Sequence, residues 1–226
     1  MGKTALSWSG GKDACLALDY LLANGISVEV LITTKQRSEK RTHGHGEKTN
    51  LLVKQSESLG IPIHFIETDI DNYTDRFVEE LKQLKLKYDL EAIAFGDIYF
   101  RPHKDWGEKL ASSVGLQAIY PLWRKKEEVD ALLHSFIQRG YRAKVIRVRP
   151  DCLSDSWLGR EIDESFYQQI KLEEVCPMGE AGEYHSFVYD GPIFSKVVAI
   201  LTKETVIWEG SKKVDLHLTH DGEVEI

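Results

Sequence analysis

A short run near the amino terminus combines residue types that bind phosphate. Residues 7–13 have the sequence S-W-S-G-G-K-D. The two adjacent glycines carry no Cβ, so the backbone there can approach an anion closely, and the lysine adds a full positive charge. The chemistry that this run predicts is the binding of a polyphosphate. Its candidate ligands are Ser7, Ser9, Gly10, Gly11, Lys12 and Asp13.

The sequence around this run predicts a strand-to-helix turn. Residues 3–9 have the pattern of a short buried strand, and apolar residues recur at helical spacing over residues 14–22. The first N–H groups of that helix and the positive end of its dipole would point at the bound anion. We therefore expect Lys12 and Asp13 to lie at an exposed loop mouth.

The glycine spacing excludes two widespread phosphate-binding patterns, because it fits neither G-x-x-x-x-G-K-[ST] nor G-x-G-x-x-G. Residues 9–13, S-G-G-K-D, resemble the S-G-G-x-D signature of the PP-loop ATP pyrophosphatases. That resemblance implies cleavage of ATP to AMP and pyrophosphate, with the adenylate activating a substrate oxygen. A glycine-rich turn that only packs is the alternative interpretation.

Composition narrows the class of protein. With 226 residues, 42% of them apolar, the chain is long enough for one large or two small domains. No apolar stretch approaches the roughly 18 residues of a membrane span, and no signal-peptide pattern is visible, so we expect a cytoplasmic protein without a membrane partner. The net charge of −7 makes nucleic acid an improbable partner. Three widely spaced cysteines indicate neither a disulfide framework nor a zinc site.

Strand and helix patterns alternate through the first half of the chain. They predict an α/β fold, a doubly wound parallel sheet of the Rossmann-like (HUP) PP-loop type, over residues 1–124. The strands are expected at residues 3–9, 28–33, 63–66, 92–95 and 117–120. A smaller α+β domain is predicted over residues 125–226. Its elements are a helix at 126–139, a strand at 143–148, a helix at 162–172 and an edge strand around 214–218, followed by a hairpin turn at Asp221-Gly222.

Two further groups of polar residues lie where ligands bind such a sheet. Gly96 and Asp97 follow the fourth strand, at the carboxyl end where open α/β sheets place ligands. The alternative for Asp97 is a cap on the next helix. The polar stretch 35–46 is expected to form a mobile loop over the nucleotide. Within it, His43-Gly44-His45 is either a solvated turn or a contact to substrate or phosphate.

Two motifs in the second half resemble one family within the superfamily. Residues 155–160, D-S-W-L-G-R, and 179–192, G-E-A-G-E-Y-H-S-F-V-Y-D-G-P, are similar to the diphthine:ammonia ligase family. Together with S-G-G-K-D, the resemblance runs from about residue 4 to residue 210. It implies conversion of a carboxylate and free ammonia into an amide, with ATP and Mg²⁺ as cofactors. In that family the carboxylate is diphthine on an elongation factor.

The resemblance also implies roles for individual residues. Catalysis is expected from Lys12, Asp13, Asp97, Arg160 and Glu183, with Mg²⁺ held partly by Asp13. The backbone at Thr33 and Thr34, at the end of the second strand, is expected beside adenine, with Gly96 also at the nucleotide. The expected substrate-binding residues are His45, Trp157, Gly159, Glu180 and His185.

The chemistry of these side chains suits the implied roles. Arg160 is suited to a bidentate grip on phosphate or carboxylate, and Trp157 offers a flat face to a ring or a cation such as the trimethylammonium of diphthine. Glu180 and Glu183 would complement that cation or deprotonate ammonium, with His185 moving the proton. The alternative for Arg160 and Glu183 is a salt bridge between the two domains.

Departures from the family pattern keep other functions open. Ala14 stands where many members have Ser, so one hydroxyl donor to pyrophosphate is absent. Residues 95–99 and the His45-Gly46 turn resemble the bacterial branch, which implies an unknown small molecule as the alternative carboxylate substrate. Two rival hypotheses are a PP-loop tRNA-modifying enzyme and a non-catalytic module that binds ATP or AMP. A homodimer is also possible.

Overall fold

The computed structural model describes residues 2–37 and 40–219. Its strands are β1 (Thr4–Ser7), β2 (Val28–Gln36), β3 (Ile63–Thr68), β4 (Ala92–Ala94), β5 (Gln117–Ile119), β6 (Arg142–Val148), β7 (Tyr184–Asp190), β8 (Ile200–Trp208) and β9 (Ser211–Leu218). Its α-helices are α1 (Lys12–Ala23), α2 (Thr49–Leu59), α3 (Tyr73–Tyr88), α4 (Arg101–Ser113), α5 (Val129–Gln138) and α6 (Glu164–Ile170). None of the helices in this part of the chain is long and apolar enough to cross a membrane.

The first five strands form one parallel sheet in the order β3-β2-β1-β4-β5. Helices cover both faces, because α1 and α2 contribute to one core and α3 and α4 to the other. The predicted doubly wound α/β fold is confirmed. The strand order reverses between β1 and β4, which places a ligand crevice at their carboxyl ends.

The other four strands form an antiparallel sheet in the order β7-β6-β9-β8. The predicted smaller α+β unit is therefore present. The expectation of an edge strand around residues 214–218 was wrong, since β9 lies between β6 and β8 and is buried on both faces over residues 213–216. The predicted turn at Asp221-Gly222 lies outside the described residues, and the domain boundary near residue 124 stays a prediction.

Helix α1 lies between the two sheets. Its buried residues occur on every side of the helix, from Lys12 and Cys15 to Leu18 and Leu21, which is typical of a helix without a solvent face. One continuous apolar cluster joins α1 to Tyr184 and the rest of β7. The second sheet therefore packs directly on the helix that begins at the predicted phosphate turn.

A buried glutamine on α2 connects the same elements by hydrogen bonds. The Gln55 side chain has no exposed surface, and its Oε1 accepts from Trp8 Nε1 at 3.0 Å. Its Nε2 donates to Gly10 O at 2.9 Å and to Val188 O at 2.6 Å. Because Gly10 has a positive φ of 78°, the turn needs both glycine and this support. Gln55 therefore ties β7 to the turn after β1.

We expect Gln55→Met to destabilise the protein by about 2–4 kcal/mol, because it keeps the side-chain volume but leaves buried polar partners unpaired. Urea unfolding measures the difference. The control is Lys54→Met on the exposed side of α2, which removes only a surface ion pair to Glu57 and should cost less than about 1 kcal/mol. Equal midpoints for the two variants would contradict the proposed structural role of Gln55.

Candidate active site

A cavity of about 440 Å³ opens at the carboxyl ends of β1, β2 and β4. The residues after β1 and β4 line one part of it, and the loop before β7 closes it with residues 179–182, together with His185 of β7. A concave site at the reversal of strand order is the usual place for a ligand in this class of sheet. Of the residues predicted from sequence, the cavity lining includes Ser7, Ser9, Asp13, Thr33, Thr34, His45, Gly96, Asp97, Glu180 and His185.

The phosphate turn is completed by β7. Lys12 N, at the start of α1, donates to Ser186 Oγ at 3.1 Å, and Gly10 O accepts from Val188 N at 3.0 Å. A Cβ on Gly11 would lie 2.9 Å from His45 Cε1 and 3.0 Å from Ser186 O. Only glycine at position 11 leaves room for His45 and Ser186. The turn is therefore shaped by residues that lie far along the chain.

Lys12 is buried rather than exposed. Its relative exposure is 1%, so the expectation of an exposed loop mouth was wrong for this residue. The reason is that β7 covers the first turn of α1, with Lys12 Nζ lying 4.4 Å from the centre of the Tyr184 ring. The ammonium also donates to Asp13 Oδ2 at 3.1 Å. An ammonium has three N–H donors, so a phosphate oxygen can accept from it as well.

Asp13 presents a carboxylate that suits a divalent cation. Burial raises its pKa, the charge and hydrogen bond of Lys12 oppose that rise, and the nearby Asp97 raises the pKa further. Its Oδ1 is buried and has no hydrogen-bond partner among the described residues. A Mg²⁺ ion prefers such carboxylate oxygens, usually together with phosphate oxygens. The residues present therefore fit the predicted metal.

Asp97 does not cap the helix that follows it. Helix α4 begins at Arg101, and no side chain among the described residues forms a cap hydrogen bond at its N-terminus. Asp97 Oδ1 instead lies 3.1 Å from His103 Nδ1, and this hydrogen bond raises the pKa of His103. The alternative reading of Asp97 as a helix cap was therefore wrong, and its carboxylate faces the cavity.

The segment between Asp97 and α4 is held by a glutamate from the loop before β7. Glu180 Oε1 accepts from the backbone N–H groups of Ile98, Tyr99 and Phe100 at 2.9, 3.2 and 3.1 Å. Burial raises the pKa of Glu180, and these three N–H groups oppose the rise. Glu180 lines the cavity, but its Oε1 is used to hold the segment after Asp97 in place.

Glu183 also binds backbone. Its Oε1 accepts from Cys176 N at 3.1 Å and its Oε2 from Ala181 N at 2.9 Å. These bonds fold residues 176–183 into the loop that carries Glu180. Glu183 does not line the cavity, so the geometry supports a role in shaping the loop and lends no support to direct catalysis.

The predicted mobile loop is folded against both domains. Strand β2 extends to Gln36, and the chain returns through hydrogen bonds from Gln36 N to Arg41 O at 3.1 Å and from His43 N to Thr34 O at 3.2 Å. Arg41 and Lys48 then bind Asp215 of β9 at 2.8 and 2.6 Å. Residues 40–46 are therefore held by backbone and ionic contacts and do not form a solvated turn, while the expected mobility of the stretch 35–46 stays a prediction.

This loop brings two histidines together. The ring centroids of His45 and His185 are 4.4 Å apart. Burial, helped by the charges of Lys12, Lys213 and Arg147, lowers the pKa of His45 to about 3. Burial, the neighbouring His45 and the same cations lower the pKa of His185. Both rings are therefore neutral near pH 7, and neither adds a charge to the phosphate end.

Three predicted residues lie away from the cavity. Arg160 donates to Gln169 Oε1 at 3.0 Å, and its guanidinium carbon lies 4.4 Å from the Trp157 ring centre. Trp157 is buried against Phe166 of α6, and Gly159 lies next to it. Local packing within the second domain uses these side chains. No ion pair joins Arg160 to Glu183 among residues 2–37 and 40–219, so the alternative of a salt bridge between them was also wrong.

Several lining residues were not identified as site residues from the sequence. The aromatic members are Tyr73, Phe77, Phe95 and Phe100, and the polar members include Thr42 and His103. His43, whose turn was a candidate contact to substrate or phosphate, also lines the cavity. The sequence gives little signal for Phe77, because a core aromatic and a pocket aromatic have the same helical spacing.

A second cluster, Glu204, Asp215 and His217, brings possible metal-ligating atoms within 4.8 Å of one another. Arg41 and Lys48 already bind the Asp215 carboxylate, so it is neutralised by cations of the chain. This cluster is an ionic contact between the loop and β9. Asp13 remains the better candidate for a metal ligand.

Two family profiles match most of the chain. The profile of the diphthamide synthase N-terminal domain matches residues 2–118. The profile of the diphthamide synthase C-terminal domain matches residues 128–219.

Individual relatives agree with these profiles. The diphthine–ammonia ligase of Danio rerio is 27% identical, with 88% of this chain and 86% of that protein covered. The Homo sapiens protein of the same name is 26% identical, with 88% and 83% covered. The one from Schizosaccharomyces pombe is 26% identical, and this chain covers 36% of its length. A solved structure, the U34-tRNA thiolase NcsA from Methanococcus maripaludis with its [4Fe-4S] cluster, matches 59% of this chain and 56% of that one at 19% identity and a TM-score of 0.39.

We expect the Asp215 contacts to make stability depend on acid pH. Burial alone would raise the pKa of Asp215, but Lys48 and Arg41 outweigh it and lower the pKa to about 2. Because this is below the ordinary value of about 3.9, the carboxylate contributes stability above about pH 4 and loses it as pH falls towards about 2.

Urea unfolding of Asp215→Asn and the parent protein between about pH 6 and pH 3 tests this. The stability difference should be largest at the higher pH and narrow as pH falls. Asp155→Asn, which removes an exposed partner of Lys212, is the control and should show a small difference throughout. A stability difference between Asp215→Asn and the parent protein that does not change with pH would contradict the lowered pKa of Asp215.

Proposed function

This chain belongs to the diphthamide synthase family, and we propose from that membership that it is an ATP-dependent amide ligase. The reaction joins a carboxylate and ammonia, with ATP split into AMP and pyrophosphate. The observation that carries the proposal is the ion pair on the first turn of α1 between Lys12, which is buried, and Asp13, which is partly exposed and lines the cavity. The N–H groups at a helix N-terminus and a buried ammonium can both bind the oxygens of a triphosphate. Without an anion, the positive charge would be buried with little compensation, which costs free energy.

The chemistry follows from what a carboxylate requires. Its oxygen is a poor leaving group until attack on the α-phosphate of ATP converts it to an acyl adenylate, from which AMP can depart. Pyrophosphate leaves in that first step. Lys12 and the first N–H groups of α1 would stabilise its charge, because such transfers are catalysed mainly by positioning and electrostatics. Ammonia then attacks the acyl carbon, and AMP is released.

Asp13 would hold Mg²⁺ through the buried Oδ1 that has no hydrogen-bond partner among the described residues. When bound, the metal supplies positive charge to the phosphate oxygens. Lys12, held on Asp13 Oδ2, would act from the other side of the same carboxylate. The absence of a hydroxyl at Ala14 leaves Lys12 and the backbone as the donors to pyrophosphate.

The second domain would close the site around the substrate. Glu180 fixes the segment after Asp97, so that Asp97 and His103 face the cavity where the carboxylate substrate must approach. His45 and His185 are neutral, so they can line the phosphate end as hydrogen-bonding groups and exclude water there. Arg160 and Trp157 have no part in this proposal, since they lie outside the cavity.

The amidated carboxylate is diphthine on an elongation factor or, as the likeness of residues 95–99 to the bacterial branch suggests, a small molecule. Free ammonia is the proposed nitrogen source and the cytoplasm the proposed compartment. A division into a nucleotide-binding domain over residues 1–124 and a substrate-binding domain over 125–226 is part of the proposal. A homodimer stays a prediction.

The two rival hypotheses predict different chemistry. A tRNA thiolase needs a reactive cysteine at the site, whereas Cys15 and Cys176 are buried and no cysteine is among the cavity residues described. A regulatory module would bind ATP or AMP without turnover. The ligase is favoured because Asp13 and Asp97 add carboxylates for catalysis to a site that binds phosphate.

Incubation of the protein with ATP, Mg²⁺ and ¹⁵N-ammonium tests the function. One arm adds elongation factor 2 that carries diphthine, another a small-molecule filtrate of cell extract, and a third adds tRNA. We expect AMP and pyrophosphate in one of the first two arms, with ¹⁵N incorporated into an amide detected by mass spectrometry. Turnover in the tRNA arm alone, or bound ATP without turnover in every arm, would overturn the proposal.

We expect Asp13→Asn to lower pyrophosphate release by about 100-fold or more, because it removes the charge that would hold the metal beside the phosphates. Circular dichroism and urea unfolding should show a folded protein. Asp105→Asn, on the exposed side of α4, is the control and should keep full activity. An active Asp13→Asn variant would show that this carboxylate is not part of the reaction centre.

A further inference from the structure

One end of the cavity is suited to a flat heteroaromatic base. Thr33 and Thr34 lie there at the end of β2, with Tyr73 and Phe77 of α3 beside them. Where the phosphates bind at the turn after β1, the nucleoside in sheets of this class extends over the end of β2. The two aromatic rings, whose centroids are 6.3 Å apart, offer an apolar wall to the base. This placement rests on the proposed function.

His43 stands at this end of the cavity and has no part in the mechanism above. It lines the cavity, and its backbone N donates to Thr34 O at 3.2 Å, which fixes it beside the end of β2. Its ring meets Tyr73 edge-on, with centroids 5.9 Å apart and planes at 80°. The ring is therefore held next to the proposed base wall.

The contacts of His43 favour one arrangement of the ring hydrogen. Its Nε2 lies 3.2 Å from the carbonyl oxygen of Thr68 and 2.8 Å from Thr68 Oγ1. A hydrogen on Nε2 satisfies both contacts, whereas an Nε2 without hydrogen would accept from the Thr68 hydroxyl and face the lone pairs of the carbonyl oxygen. The favoured tautomer leaves Nδ1 as an acceptor, and Nδ1 forms no hydrogen bond within the part of the chain that the structure describes. Thr68 is fully buried at the end of β3, so this arrangement is rigid.

We propose that His43 selects adenine over 6-oxopurines, with Nδ1 accepting a hydrogen bond from the exocyclic amino group at C6. Hypoxanthine and guanine present a carbonyl oxygen at this position. Two acceptors would then face each other, and the base would lose a hydrogen bond that it makes in water. A site that accepts a hydrogen bond from its substrate strongly rejects an analogue that lacks this donor. An apolar pocket rejects a change of shape much less strongly.

The test compares three ligands by isothermal titration calorimetry: ATP, ITP and inorganic tripolyphosphate. ITP differs from ATP only at C6 and N1 of the base, and tripolyphosphate probes the phosphate end alone. We expect the parent protein to bind ATP at least about 10-fold more tightly than ITP. In His43→Phe, which keeps an aromatic ring against Tyr73 but has no acceptor, the ratio should fall to about 2 or less. His43→Ala is the second variant, and the affinity for tripolyphosphate should be unchanged in both.

The outcomes separate this inference from the proposed function. Equal affinity of the parent protein for ATP and ITP would overturn the role of His43. A preference for ATP over ITP that is undiminished in both variants would overturn it too, and would assign adenine recognition to the backbone of β2. If the parent protein bound neither ATP nor tripolyphosphate, the nucleotide site itself would be wrong.

Discussion

The structure depends on an electrostatic balance at the first turn of α1. Lys12 is almost completely buried there, between the parallel sheet and β7, with one carboxylate and one aromatic face as partners. A buried ammonium loses its hydration, and one carboxylate that itself faces a second carboxylate compensates for it only in part. The phosphate oxygens of the proposed ATP would complete this balance. The site is therefore assembled in advance around a charge that the substrate has to satisfy.

The second domain contributes mainly by holding backbone. Glu180 binds three N–H groups of the segment after Asp97, and Glu183 shapes the loop that carries Glu180. Ser186 and Val188 do the same for the phosphate turn. Side chains that have the chemistry of catalysts thus act as supports, and they keep the few groups that face the cavity in fixed positions. Because the site is already ordered, little of the binding energy of the substrate is lost in ordering it. That energy can then serve to position the reacting groups.

Much of this arrangement could be predicted from the sequence, and the missing parts have a common cause. Alternating strand and helix patterns and the S-G-G-K-D run predicted the parallel sheet and the strand-to-helix turn after β1, because both depend on local sequence. The burial of Lys12, the support from Glu180 and the ordering of the loop that carries His45 depend on contacts between distant segments. Trp157 and Arg160 stand in a motif that suggested binding, but they pack against α6. A motif shows which residues occur together, and only the fold shows which way their side chains face.

The hydrogen bond between Lys12 N and Ser186 Oγ joins residues 174 positions apart. Gly10 is likewise held by Val188 of β7. During synthesis on the ribosome the amino-terminal turn therefore waits for most of the polypeptide before it acquires its final shape. A nascent chain that has produced only the parallel sheet has the whole S-G-G-K-D motif and lacks the contacts from β7 that complete its turn.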